Sequence, residues 1–236
     1  MHDSRETGID MSEWSGRLLA DFEPGGVALD GGWQQRKSAQ TRIAILEASV
    51  ECLETYGYSR MTTQLIAKRA DISRGAMLHH YATKQDLVAS LIDYVMYKRM
   101  QLFIKRIQAL SEDARVRQHA GIELYWQSLL TREFTAYVEL SLASRTDPEL
   151  REIFLPKARQ YDRVERAEIL RVFPEWSSRL EAYELAMDYC IACMEGLLMN
   201  RDIWDDKTRR VLLRQFVSRT ILMLREGELE IPVNRK

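Results

Sequence analysis

The sequence predicts an all-α protein, and three observations carry that prediction. From Ser38 onward apolar residues recur at spacings of three and four, without the alternation that marks strands. No proline falls between Trp33 and Asp147, so the residue that most disrupts a helix is missing from that whole stretch. Where the periodicity breaks, it breaks at helix punctuation: Gly57 after a tyrosine, Asp147 ahead of Pro148, and Pro174.

Taken in order, residues 1–36 form an acidic, glycine-rich tail. Six of the eleven glycines lie at or before Gly32, and Trp14, Leu18, Leu19 and Phe22 are scattered among them. That composition predicts a mostly disordered segment, with a short amphipathic helix near Trp14 as the alternative. Ser38 is placed to N-cap a helix bearing Ile43, Leu46, Val50 and Leu53, which Gly57 ends in a left-handed C-cap. A short helix from Thr63 to about Ala70, a break at Asp71-Ile72-Ser73 and a second short helix to about Tyr81 follow. A long helix runs from Lys84 to Gln108, and further helices are expected near 113–130, 132–145, 148–173, 177–200 and 206–225. Their breaks fall at Ser111, Thr146-Asp147-Pro148, Pro174 and Asp205-Asp206; Asp147 with Pro148 reads as an N-cap followed by a first-turn proline. There is no internal repeat and no low-complexity tract.

At 236 residues, with 46% hydrophobic and 29% charged, the chain has the composition of one or two globular domains. No apolar run approaches the ~18 residues of a membrane span. The first thirty residues carry seven acids and no apolar core behind a basic start, so a secretory signal is not expected. Three cysteines argue against a disulfide framework and for a reducing, cytoplasmic setting. The net charge of −1 hides opposed segments: −5 over residues 1–35, +4 over 36–100 and zero beyond. The excess positive charge sits where the two short helices lie.

Those helices, Thr62 to Lys84, read TTQLIAKRADISRGAMLHHYATK. Two helices of about two turns joined by three or four residues are what a helix-turn-helix requires, the first bracing across the groove of DNA and the second entering it. Leu65, Ile66 and Ala70 supply an inner face, Ala67 is small where the helices approach, and Ile72 can plug the angle between them. Ser73 can cap the second helix, presenting Arg74, Gly75 and Ala76 at the end that meets base edges.

This wording resembles the TetR family of bacterial transcriptional regulators over roughly residues 38–90. The resemblance is carried by Tyr56-Gly57-Tyr58, Thr62-Thr63, Ile66-Ala67, Ile72-Ser73-Arg74-Gly75, His80-Tyr81 and Lys84-Gln85-Asp86-Leu87. It implies an amino-terminal three-helix helix-turn-helix DNA-binding domain at 37–84, followed by a larger helical ligand-binding and dimerisation domain at 85–236. Matched position by position, it implies base contacts at Gln64, Arg74, Gly75, Ala76 and His79, and phosphate contacts at Thr63, His80 and Lys84. The chemistry agrees: arginine pairs with guanine through two hydrogen bonds, glutamine can do so with adenine, and alanine meets a thymine methyl. Thr63 and Lys84 stand at helix N-termini, which favour phosphate. Two positions depart from the family pattern. Asp71 replaces the usual turn glycine, which aspartate tolerates. Leu78 replaces the usual tyrosine and cannot donate to a phosphate, leaving His79 or His80 to substitute.

The resemblance further implies a repressor that binds a palindromic operator of double-stranded DNA as a homodimer and responds to a small molecule. Segment 183–199 is apolar over most of its circumference, as a helix buried on more than one side must be, and 211–224 carries Leu213, Phe216, Val217, Ile221 and Leu224 as one stripe with Val211, Leu212 and Met223 off it. Met194, Leu198, Leu213, Phe216, Val217 and Ile221 are the candidate dimer interface. Phe103, Trp126, Phe134, Tyr137 and Tyr161, with Tyr125 beside them in sequence, are candidate walls of a pocket for an apolar or aromatic effector, with His119 and Arg145 as polar anchors.

Other chemistries find less support. Cys190 and Cys193 have CxxC spacing, and an all-helical redox or metal enzyme built on them is the alternative, but the intervening residues are apolar and there is no second pair. His79 and His80 are adjacent on a helix and point about 100° apart, so they do not chelate. No catalytic residue, cofactor or metal site is expected.

Overall fold

The computed structural model describes residues 11–20, 22–25, 32–110, 114–204 and 206–231. Ten α-helices and two 3-10 turns make up its regular structure among the described residues. The helices are α1 (Met11–Ala20), α2 (Trp33–Tyr56), α3 (Thr63–Arg69), α4 (Arg74–His80), α5 (Lys84–Gln108), α6 (Ala114–Leu129), α7 (Arg132–Ala143), α8 (Pro148–Val172), α9 (Leu180–Met199) and α10 (Lys207–Glu226). The expected breaks at Ser111 and Asp205 lie outside the described residues, as do residues 1–10 and 26–31 of the amino-terminal segment. Within that segment α1 is helical where disorder was the main expectation. The reason is its apolar spacing: Trp14 and Leu18 fall on one face and are buried, together with Phe22 and Pro24 just beyond.

Helix α2 begins five residues before Ser38, because Gln35 Oε1 accepts the Gly32 N–H at 2.9 Å and closes an earlier first turn. Gly57 ends α2 with its N–H donated to Leu53 O at 3.0 Å and a φ of +72°, but its ψ of 170° is extended rather than left-handed helical. A side chain is unwelcome there twice over, since an added Cβ would also lie 2.9 Å from Glu139 Oε2. Helix α8 starts as read, with Asp147 Oδ1 accepting the Leu150 N–H at 3.0 Å ahead of Pro148. The 3-10 turn Pro174–Trp176 delays α9 to Leu180. Asp206 caps α10 through the N–H groups of Thr208 and Arg209, and Gly227 closes it with φ +81°.

Two compact units are present: residues 1–104 with 136–158, and residues 105–135 with 159–236. The first holds α1 to α4 and most of α5, so it takes in more than the head expected at 37–84. In it α2 packs on α3 and α3 on α4, with Ile45, Leu46, Leu53, Ile66, Met77, Leu87 and Leu91 among its buried side chains. In the second unit α6, α9 and α10 pack on one another.

Candidate nucleic-acid interface

Helices α3 and α4 are too short to stand alone, and local hydrogen bonds set their ends. Thr62 Oγ1 accepts the Leu65 N–H at 3.2 Å and Ser73 Oγ accepts the Ala76 N–H at 3.1 Å, so each helix has a side-chain N-cap. Between them Asp71 takes φ +52°, the left-handed geometry anticipated for this non-glycine turn, and the Ile72 N–H donates to Ala67 O at 3.0 Å. Ile66, Ala67 and Met77 are buried, while Leu65, Ala70 and Ile72 are half-buried at the joint. Arg69 ties α3 to α2: it donates to Glu51 at 2.9 Å and to the Tyr56 hydroxyl at 3.3 Å. It is therefore a brace rather than part of the reading surface.

With the joint fixed, Gln64, Arg74, Gly75 and His79 are exposed and Ala76 is half-buried. Gly75 has no conformational need for glycine, and an added Cβ would meet nothing nearer than Ser73 Oγ at 3.8 Å. The chain itself leaves room there. Of the phosphate candidates, Lys84 is exposed at the first position of α5. That helix start is held by a reciprocal pair that the sequence reading missed, with Thr83 Oγ1 accepting the Asp86 N–H at 3.0 Å and Asp86 Oδ2 accepting the Thr83 N–H at 3.1 Å. Lys84 Nζ rests 4.9 Å from the centre of the Tyr58 ring. The Tyr58 backbone N–H donates to Glu139 at 3.2 Å. Thr63 and His80 are half-buried.

Among the phosphate candidates, His80 differs from Lys84 in its charge. Burial, then the nearby Arg42 and His79, hold its imidazole below the ordinary histidine range, so at neutral pH it offers a neutral N–H. Arg42, on α2, lies with its guanidinium carbon 5.3 Å from the centre of the Tyr81 ring and was not singled out in the sequence. No sequence periodicity links α2 to the end of α4, so only the fold brings them together.

The remaining candidates divide between the two units. Phe103 and Tyr137 belong to the first; Tyr137 is half-buried, with Arg99 3.9 Å above its ring and Phe154 at 5.6 Å. Trp126, Phe134 and Tyr161 belong to the second and are buried. His119 and Arg145, the candidate polar anchors, are exposed. In the second unit the buried Glu165 is joined instead to the half-buried Arg106 at 2.6 Å, with the Tyr161 hydroxyl 3.5 Å from the same carboxylate.

Of the dimer candidates, Met194 (0% exposed), Val217 (4%) and Ile221 (4%) are buried within their own chain, which corrects their assignment, whereas Phe216 is 64% exposed. Leu198 and Leu213 are half-buried. Leu212 and Met199 are exposed beside Phe216 in the pattern of α9 and α10. Burial drives the Cys190 thiol up to about 12, with Cys193 adding to it, so the Cys190 thiolate is scarce near neutrality. Among the described residues no group of three or more His, Cys, Asp and Glu side chains could hold a metal ion, and no helix is long and apolar enough to cross a membrane.

Residues 45–91 match the profile of the bacterial regulatory proteins of the tetR family. An uncharacterised HTH-type transcriptional regulator of Mycobacterium tuberculosis is 28% identical over 54% of this chain and 65% of its own length, so the match spans under two thirds of that relative. A transcriptional regulator of Pseudomonas aeruginosa superposes with a TM-score of 0.60 at 21% identity, covering 84% of this chain and 94% of that one. A TetR-family member from Streptomyces coelicolor superposes with a TM-score of 0.57 at 16% identity, covering 82% and 99%. At those identities the superpositions speak to the fold, and the profile match speaks to the capped helix pair within it. Residues 45–91 are thus similar to the helix-turn-helix segment of the tetR family, and the whole chain shares the fold of these regulators.

Proposed function

We propose that the protein is a sequence-specific, cytoplasmic DNA-binding transcription regulator, most simply a repressor, that binds an inverted-repeat operator as a homodimer. The observation that carries this reading is the capped joint Thr62–Asp71–Ser73, which leaves Arg74, Gly75 and His79 exposed on a short helix beside Gln64. In this reading residues 37–84 are the head, residues 85–236 the effector-binding and dimerising body, and residues 1–36 a separate acidic segment. A single head makes too few base contacts for useful specificity, and a two-fold dimer doubles them. The apolar side chains left uncovered on α9 and α10, Met199 (52% exposed), Leu212 (58%) and Phe216, are the surface for the second copy.

An apolar or aromatic effector would bind in the body, where Trp126, Phe134 and Tyr161 share a unit with the Arg106–Glu165 pair. It lowers operator affinity to the extent that it prefers the state with the lower affinity for DNA. The test is selection of duplexes from a random-sequence pool by the full chain. An enriched inverted repeat, with its preference relaxed by Arg74→Ala, is the expected result; no enrichment at low salt would end the reading.

A further inference from the structure

Leu78 is 50% exposed on α4 and has no hydrogen bond to offer a phosphate, so the backbone contact expected at that position has no owner. The geometry points to Arg42, on the neighbouring helix α2, as the residue that grips the DNA backbone at the carboxy end of the recognition helix, with the His80 imidazole N–H beside it. This inference rests on the DNA-binding reading above and adds to it a residue outside the matched segment 45–91.

Three observations support it. The Arg42 guanidinium lies against Tyr81, the residue that ends α4, at 5.3 Å, and is close enough to His80 to oppose its protonation. Arg42 is half-exposed, and no acid engages it among the described residues. Helix α2 holds Arg36, Lys37 and Arg42 and no acid before Glu47, so its first half is wholly cationic. An arginine laid against an aromatic ring is held in place while the donors along its edge stay available for two phosphate oxygens, a geometry lysine cannot copy. His80, kept neutral, supplies a hydrogen bond without a charge of its own. Arg42 supplies the charge that makes the grip strong.

The experiment uses the full chain and duplexes selected from a random pool, with affinity measured against KCl concentration. Arg42→Gln is expected to weaken binding to all duplexes by one common factor. Its log–log salt dependence should become shallower by about 0.9 for each phosphate that is no longer neutralised. Arg42→Lys should keep that slope and lose only part of the affinity. A second arm places a neutral methylphosphonate at each backbone position in turn. One position per half-site should weaken the wild type and leave Arg42→Gln unaffected, and this comparison stands even if the variant is less stable. If Arg42→Gln binds more weakly with an unchanged slope and the same methylphosphonate profile as the wild type, Arg42 only braces Tyr81 and the inference is overturned. If the wild type selects no duplex, the DNA-binding reading falls first and takes this one with it.

Discussion

The head and the α9–α10 pair solve opposite problems. Helices α3 and α4 have seven residues each and bury little, so their positions depend on local devices: the Thr62 and Ser73 caps, the left-handed Asp71 and the Arg69 brace. Helices α9 and α10 have twenty residues each and more apolar side chains than one buried face can hold, so burial decides which of them turn inward. A surface built the first way can change its exposed side chains with little effect on the fold. A surface built the second way is part core and part interface, and a substitution lands on one or the other according to a helix rotation that the sequence alone does not reveal.

The largest effects should come from the uncovered face of that pair. Phe216→Arg leaves the buried Val217 and Ile221 in place and sets a charge in the middle of the proposed interface. Self-association should weaken by at least about 2 kcal/mol, the scale for a central aromatic anchor, and be read as monomer in sedimentation with unchanged helix content. If the variant stays dimeric, the partner surface lies elsewhere and the contrast drawn above fails for the body. Next in size is Gly57→Val, which forces a β-branched side chain into φ +72° and against Glu139. Stability should drop by about 1–3 kcal/mol in a denaturant titration, the usual cost of such a backbone position. An unchanged midpoint would mean that the turn relaxes freely.

How much was legible follows the same division. The cap at Ser73 and the left-handed Asp71 were readable because each is a local event among neighbours in sequence; the cap at Thr62 emerged only with the structure. The length of α5 and the start of α8 at Pro148 were readable for the same reason. Helix α2 was misjudged at its start because Gly32 has no side chain to cap with and its own N–H is taken up instead by the Gln35 side chain. Met194 and Phe216 could not be sorted into core and surface, since both satisfy the same apolar pattern and only the packing of α9 on α10 separates them. Arg42 was invisible because its partners, His80 and Tyr81, are far along the chain.

Within the head, two substitutions sharpen the claim that reading and folding are separable there. Arg74→Ala should cost about 1–3 kcal/mol of discrimination at one base pair and leave the unfolding midpoint where it was. Gly75→Ala should move the two quantities in opposite directions. Alanine is the better helix former by up to about 1 kcal/mol, and the protein leaves room for its methyl group, so stability should hold or rise. Affinity for the selected duplex should fall, because the methyl group stands where backbone was bare. A variant that loses stability and affinity together would show that Gly75 serves the fold after all.

The smallest expected effect belongs to His80, and its sign follows from linkage. Burial and the nearby Arg42 and His79 lower its folded pKa below the ordinary 6.5, so the unfolded chain takes up this proton first as pH falls. Between the ordinary value and the lower folded one, the unfolded state binds more protons, and stability must decline toward acid in that window while showing no contribution above it. His80→Gln removes the titrating group and should flatten the acid-side decline of a stability-versus-pH curve without shifting its neutral plateau. Bound DNA adds a phosphate that opposes Arg42 and favours imidazolium, so the same window should narrow in the complex and affinity should rise slightly as pH drops toward about 6. If stability instead increased on acidification through that range, His80 would be gaining a partner on folding rather than losing solvent. The charge at the end of α4 would then belong to the histidine and not to Arg42.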